Sequence, residues 1–91
     1  MKADRKRILI VDDEIDACDA ISCYLKRKGF ETKVAHNGCE ALQTLQKTKP
    51  HLIILDVVMP IMDGFEFLQS LRADRQYYKT PVIMLTIKSG P

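Results

Sequence analysis

An α/β domain built on a parallel sheet is the fold class that this sequence predicts, and three observations predict it. Short aliphatic runs recur at Ile8–Val11, Leu52–Leu55 and Val82–Leu85, and unbroken runs of this kind suit strands buried on both faces. Between the runs the apolar residues shift to helical spacing. Strand and helix alternate three times before a last strand, and such alternation argues for parallel strands with helices on both faces of the sheet. Right-handed crossovers follow from that arrangement.

The elements are read in order. Ile8-Leu9-Ile10-Val11 forms the first strand. Ile15, Cys18, Ile21 and Leu25 then fall on one helical stripe, flanked by Ala17 and Tyr24. The cationic turn Lys26-Arg27-Lys28 followed by Gly29 ends that helix. Phe30 to Ala35 alternates in part, which predicts a second strand at a sheet edge. Asn37-Gly38 marks a turn. Cys39, Leu42 and Leu45, with Ala41, give a short helix that stops before Pro50. Leu52–Leu55 is the third strand. Phe65, Leu68 and Leu71 mark the third helix, Asp74 to Thr80 is a polar connection, and Pro81 opens the fourth strand over residues 82–86.

Ninety-one residues make one domain at most, and the hydrophobic fraction of 46% and charged fraction of 29% are those of an ordinary globular protein. The net charge is only +2. The basic clusters Arg5-Lys6-Arg7 and Lys26-Arg27-Lys28 carry no interleaved aromatics, so they read as solvated surface and not as a nucleic-acid footprint. Three cysteines, Cys18, Cys23 and Cys39, form no C-x-x-C pair. They are expected to be buried, reduced and cytoplasmic. His36 and His51 stand apart without ligand spacing and are expected in surface or turn roles. No apolar stretch has the length of a signal peptide or a membrane span.

Chemistry is sought at the carboxyl ends of the strands, where open parallel sheets bind ligands. The first strand ends in Asp12-Asp13-Glu14, the third in Asp56 and the fourth in Thr86. If strands one and three are neighbours, Asp12, Asp13 and Asp56 converge. Three acids in one cleft repel and raise the proton affinity of at least one. A divalent cation removes the repulsion, and an all-oxygen site with room for water and phosphate suits Mg²⁺ or Mn²⁺. Such a cation would also attract a phosphoryl group. An aspartate can serve as nucleophile and become an aspartyl phosphate, with the Thr86 hydroxyl placed to bond a phosphoryl oxygen. The blander readings are that Asp12 and Asp13 cap the first helix and that Asp56 only forms a turn. Capping needs a single acid, so the joint placement favours the site.

The segments "ILIVDDE", "HLIILDVVMPIMDGFEFL" and "PVIMLT", in this order from about residue 6 to residue 88, resemble the receiver domain of bacterial two-component response regulators. The resemblance implies a flavodoxin-like, doubly wound parallel sheet in the order 2-1-3-4, with a fifth strand and the last two helices missing from residues 1–91. It implies that Asp56 accepts phosphate from a phosphohistidine on a sensor histidine kinase or phosphotransfer protein. It implies that Asp13 and Asp56 ligate Mg²⁺ directly, that the Val58 backbone carbonyl is a further ligand, and that Asp12 acts through water. Thr86 is implied to be the switch hydroxyl. Met59-Pro60 and Asp63-Gly64 match the loop that shapes the site and starts the third helix.

Two departures from the family stand out. Ile87 follows Thr86 where the family has a small residue, so it either narrows access to the site or packs on a neighbour. The family's active-site lysine follows the fifth strand, and Lys88 follows the fourth, so Lys88 is not that lysine. The absent elements would take roughly thirty to forty residues. An exposed fourth strand is then expected to pair with a second copy in a homodimer. The function expected is a phosphoacceptor signalling module with no direct contact to nucleic acid or membrane. The alternative is a receiver-like interaction module that is not phosphorylated. A phosphohydrolase with an aspartate nucleophile is disfavoured, because neither Asp12-Asp13-Glu14 nor Asp56-Val57-Val58 supplies D-x-D.

Overall fold

The computed structural model describes residues 5–56 and 63–85. The chain runs β1 (Arg7–Val11), α1 (Ile15–Arg27), β2 (Glu31–Ala35), α2 (Gly38–Thr48), β3 (Leu52–Asp56), α3 (Gly64–Ala73) and β4 (Val82–Leu85). The strands form one sheet in the order β2-β1-β3-β4. Every pairing is parallel, with Ile10 opposite both Val34 and Ile54, and Leu55 opposite Met84. This is the order expected, and β2 lies at the edge that its partial alternation predicted.

Because side chains of a strand point alternately to opposite faces, the aliphatic runs feed two cores. Leu9, Val11, Ile53 and Leu55 face Ala41 and Leu45 of α2 and Phe67 and Leu71 of α3. Ile8 and Ile10 face Cys18 of α1, with Ile21, Leu25, Val34 and Ile54 packed around them. Full burial of a side chain such as Phe67 contributes about 1.5–3 kcal/mol.

The helix ends follow from local chemistry. Gly29 has φ +95 and closes α1: its N–H donates to the Lys26 carbonyl at 3.0 Å, and the Phe30 N–H donates to the Leu25 carbonyl at 3.1 Å. That double bond pattern needs a left-handed residue, which glycine supplies at least cost. Asn37-Gly38 is not a free turn. Asn37 is the N-cap of α2 and its side chain accepts from the Glu40 N–H at 2.8 Å. Asp63 caps α3 in a capping box with Glu66. Lys49, at φ 50, ends α2 ahead of Pro50.

Several expected core positions are corrected. Ile15 is 61% exposed and Phe65 is 62% exposed. Both lie off the face that each helix turns to the sheet: α3 buries Gly64, Phe67 and Leu71, and α1 buries Cys18 and Ser22. Cys23 and Cys39 are exposed, and only Cys18 is buried. The polar connection after α3 conceals one core residue, Tyr77, whose hydroxyl donates to the Leu45 carbonyl at 3.0 Å. Arg72 holds the same connection by donating to the carbonyls of Tyr78 and Thr80, each at 2.8 Å.

Candidate functional site

The central strands β1 and β3 are neighbours, so the acids at their carboxyl ends meet. Asp12, Asp13 and Asp56 each place a carboxylate oxygen within 4.8 Å of the others. Asp56 is the last residue of β3 and is 5% exposed, Asp12 is 8% exposed, and Asp13 is open to solvent. The pairing register decides this geometry: Val11 lies opposite Leu55, so the residues that follow each strand rise together at one end of the sheet.

Asp12 is fixed from several directions. Its N–H donates to the Ala35 carbonyl at 3.0 Å, which extends the β1–β2 ladder by one bond. Its own carbonyl accepts from the Cys18 thiol at 3.3 Å and lies 3.1 Å from His36 Nδ1. One side-chain oxygen, Oδ1, accepts from the Glu14 N–H at 3.0 Å. Asp12 therefore shapes the turn into α1 and does not cap the helix as the blander reading had it: the N-cap position belongs to Glu14, which makes no side-chain cap bond. Cys18 and His36 were not singled out for the site from sequence. The only hint was their position, one turn into α1 and one residue past β2, close to the end of β1.

The negative field of the cluster is felt by the thiol beneath it. Burial first, and then the charges of Asp12, Asp19, Asp13 and Asp56, push the Cys18 thiol up to about 11. Three oxygens from hard, anionic donors at this spacing, two of them on partly shielded carboxylates, fit a small divalent cation such as Mg²⁺ and do not fit a soft metal. Val58 and Thr86, the other two residues expected at the site, lie outside the described residues, as do Ile87 and Lys88.

A family model, that of the response regulator receiver domain, matches residues 8–91. The DNA-binding response regulator MtrA of Mycobacterium tuberculosis is 36% identical over 85 residues, covering 93% of this chain and 36% of that protein. The probable transcriptional regulator ycf29 of Porphyra purpurea is 43% identical over 81 residues, covering 89% of this chain and 39% of that protein. The chain thus spans little more than a third of the length of these curated relatives. Among solved structures, chemotaxis protein CheY4 of Vibrio cholerae superposes with a TM-score of 0.89 at 41% identity, covering 97% of this chain and 73% of that one. The N-terminal domain of a response regulator receiver protein from Methanoculleus marisnigri JR1 gives a TM-score of 0.86 at 38% identity, covering 93% of this chain and 69% of that one. The acids at the sheet's carboxyl end, the 2-1-3-4 strand order and these matches agree, and the chain belongs to the response regulator receiver domain family of two-component systems, with its flavodoxin-like fold.

Proposed function

We propose that the chain is a phosphoacceptor signalling module in which Asp56 receives a phosphoryl group from a phosphohistidine of a sensor kinase or phosphotransfer protein. The observation that carries this reading is the convergence of the Asp12, Asp13 and Asp56 carboxylates within 4.8 Å at the end of the two central strands. In the step proposed, a carboxylate oxygen of Asp56 attacks phosphorus, a P–O bond forms, the P–N bond breaks, and the imidazole leaves with the electron pair and takes up a proton. The burial of Asp56 holds the nucleophile still and sheds its hydration, which favours in-line attack. Asp13 and Asp56 would hold Mg²⁺ directly and Asp12 through water, with the Val58 carbonyl as a further ligand. Mg²⁺ there would supply charge neutralisation to the phosphoryl oxygens. The Thr86 hydroxyl is assigned to a phosphoryl oxygen as the switch contact. A cytoplasmic setting goes with this reading; no helix among the described residues is long and apolar enough to cross a membrane.

The test is mass spectrometry after incubation with a small phosphodonor and Mg²⁺. The wild type should gain one phosphoryl group, and Asp56→Ala should gain none. Equal labelling of both, or no labelling of the wild type by either a small donor or a phosphohistidine protein, would overturn the assignment and leave the unphosphorylated interaction module.

One observation favours self-association. Val82–Leu85 has no partner strand on its outer side among the described residues, and Ile83 is half exposed. Such an edge pairs readily with another chain. A homodimer through β4 is therefore proposed, and light scattering over a concentration series reads it directly: a constant monomer mass would reject it.

A further inference from the structure

At the opposite end of the molecule from the acids lies a groove of about 710 Å³, open along the edge of β2 and walled by α2. Five cations line it, Arg5, Arg7, Lys26, Lys33 and Lys47, against the single acid Glu31. The two basic clusters of the sequence thus meet in space, joined by lysines from β2 and α2. Arg7 is built into the wall: its guanidinium donates to the Thr48 carbonyl at 2.8 Å and the Lys49 carbonyl at 3.1 Å. The other four cationic side chains stand on surface residues.

The floor of the groove is an unused strand edge. β2 pairs with β1 on one side only. Glu31 donates its N–H to Lys6 and Ala35 accepts from Asp12, so alternate residues Glu31, Lys33 and Ala35 spend their backbone groups on β1. By the same alternation Thr32 and Val34 turn their N–H and C=O groups outward. Their side chains are committed elsewhere, Thr32 to Ser22 at 2.6 Å and Val34 to the α1 core. Lys33 exposed on such an edge repels apolar or basic strands, which is how edges are kept from aggregating. An acidic strand meets the reverse: its charges pair with the lysines while its backbone completes the ladder.

We propose that this groove is a docking site for an extended acidic peptide segment, which adds to β2 as a fifth strand through Thr32 and Val34 and sets its carboxylates against Lys33, Lys47, Lys26 and Arg5. β2 has five residues, so a segment of about the same length fills the edge, at roughly 3.3 Å per residue. Main-chain bonds give such complexes their affinity, and alternate side chains give them selectivity. The surface is distinct from the acid cluster.

The experiment uses a fluorescent hexapeptide of alternating Glu and Val as the probe, with fluorescence anisotropy at low ionic strength. Its controls are the Lys-for-Glu peptide, the same acidic peptide N-methylated at alternate residues, and a single-stranded oligonucleotide of equal charge. The acidic peptide should bind, weaken with added salt, and slow amide exchange at Thr32 and Val34. Lys33→Glu with Lys47→Glu, both exposed, should weaken it by at least about tenfold while melting as the wild type does. N-methylation should cost about as much. Four results would overturn the proposal: absence of binding, binding indifferent to the double charge reversal, equal binding of the N-methylated peptide, or tighter binding of the oligonucleotide with the same exchange footprint.

Discussion

Neutralising Asp13 should have opposite effects with and without a divalent cation. Its carboxylate lies within 4.8 Å of both Asp12 and Asp56. At that distance two like charges repel by about 0.9 kcal/mol in water and about 3.5 kcal/mol at an effective dielectric of 20. Asp13 is exposed, so the value near water applies, and the two pairs together amount to about 1–2 kcal/mol before salt screening. In chelator, Asp13→Asn should therefore raise the melting temperature by several degrees, since 1 kcal/mol corresponds to about 4–8 °C in a domain of this size. With Mg²⁺ at about 100 times its dissociation constant, the wild type gains about 2.7 kcal/mol. The variant has lost one anionic ligand and gains much less, so the order of stability should invert. Calorimetry of both proteins, in chelator and across a Mg²⁺ series, reads the crossover. A variant that melts lower than wild type in chelator, or one that gains as much from Mg²⁺, would show that the three acids do not act as one site.

Three further outcomes are expected. Phe67→Ala should cost about 3–5 kcal/mol in urea unfolding through the cavity it leaves, whereas Phe65→Ala, on the exposed side of the same helix, should stay within about 0.5 kcal/mol; equal costs would mean that the α3 stripe is misassigned. Gly29→Ala meets no atom within 4 Å but must adopt φ +95, so it should destabilise by about 1 kcal/mol for backbone reasons alone, and a neutral effect would contradict the left-handed cap. The Cys18 thiol, raised from 9.0 to about 11, is neutral in the folded state where the unfolded chain has already ionised; its contribution is whole below pH 9 and is lost as the pH climbs towards 11. That loss approaches roughly 2–3 kcal/mol. Cys18→Ala should accordingly show a shallower alkaline fall in stability than wild type, and identical slopes would reject the buried thiol.

The strands and the three acids were legible in the sequence because each rests on a strong local signal, whereas the strand order came from the family resemblance. Ile8–Val11 and Leu52–Leu55 admit few readings other than buried strands, and the acids follow those runs directly. The helices were legible as elements but less so as faces. Ile15, Cys39 and Phe65 share the spacing of the core residues, and only the docking angle of each helix on the sheet decides that Cys18, Ala41 and Phe67 point inward. Tyr77 was hidden because a buried aromatic in a polar connection has no periodic signature; its place depends on the C-terminal half of α2, remote in sequence. The hold of Cys18 and His36 on the Asp12 carbonyl was likewise invisible, since a main-chain acceptor leaves no mark on residue identity. The basic groove escaped because its cations come from four separate segments.

The anchoring of Asp12 has a bearing on kinetics. Its amide and carbonyl are claimed by β2 and α1, and Asp56 meets it across the β1–β3 ladder. The cluster is consequently expected to form late, after the long-range parallel pairings that limit the speed of such sheets. A ligand that reads this cluster should act on the exit from the native state and not on the approach to it: Mg²⁺ should slow unfolding while leaving the refolding rate nearly unchanged, the behaviour of contacts absent from the transition state.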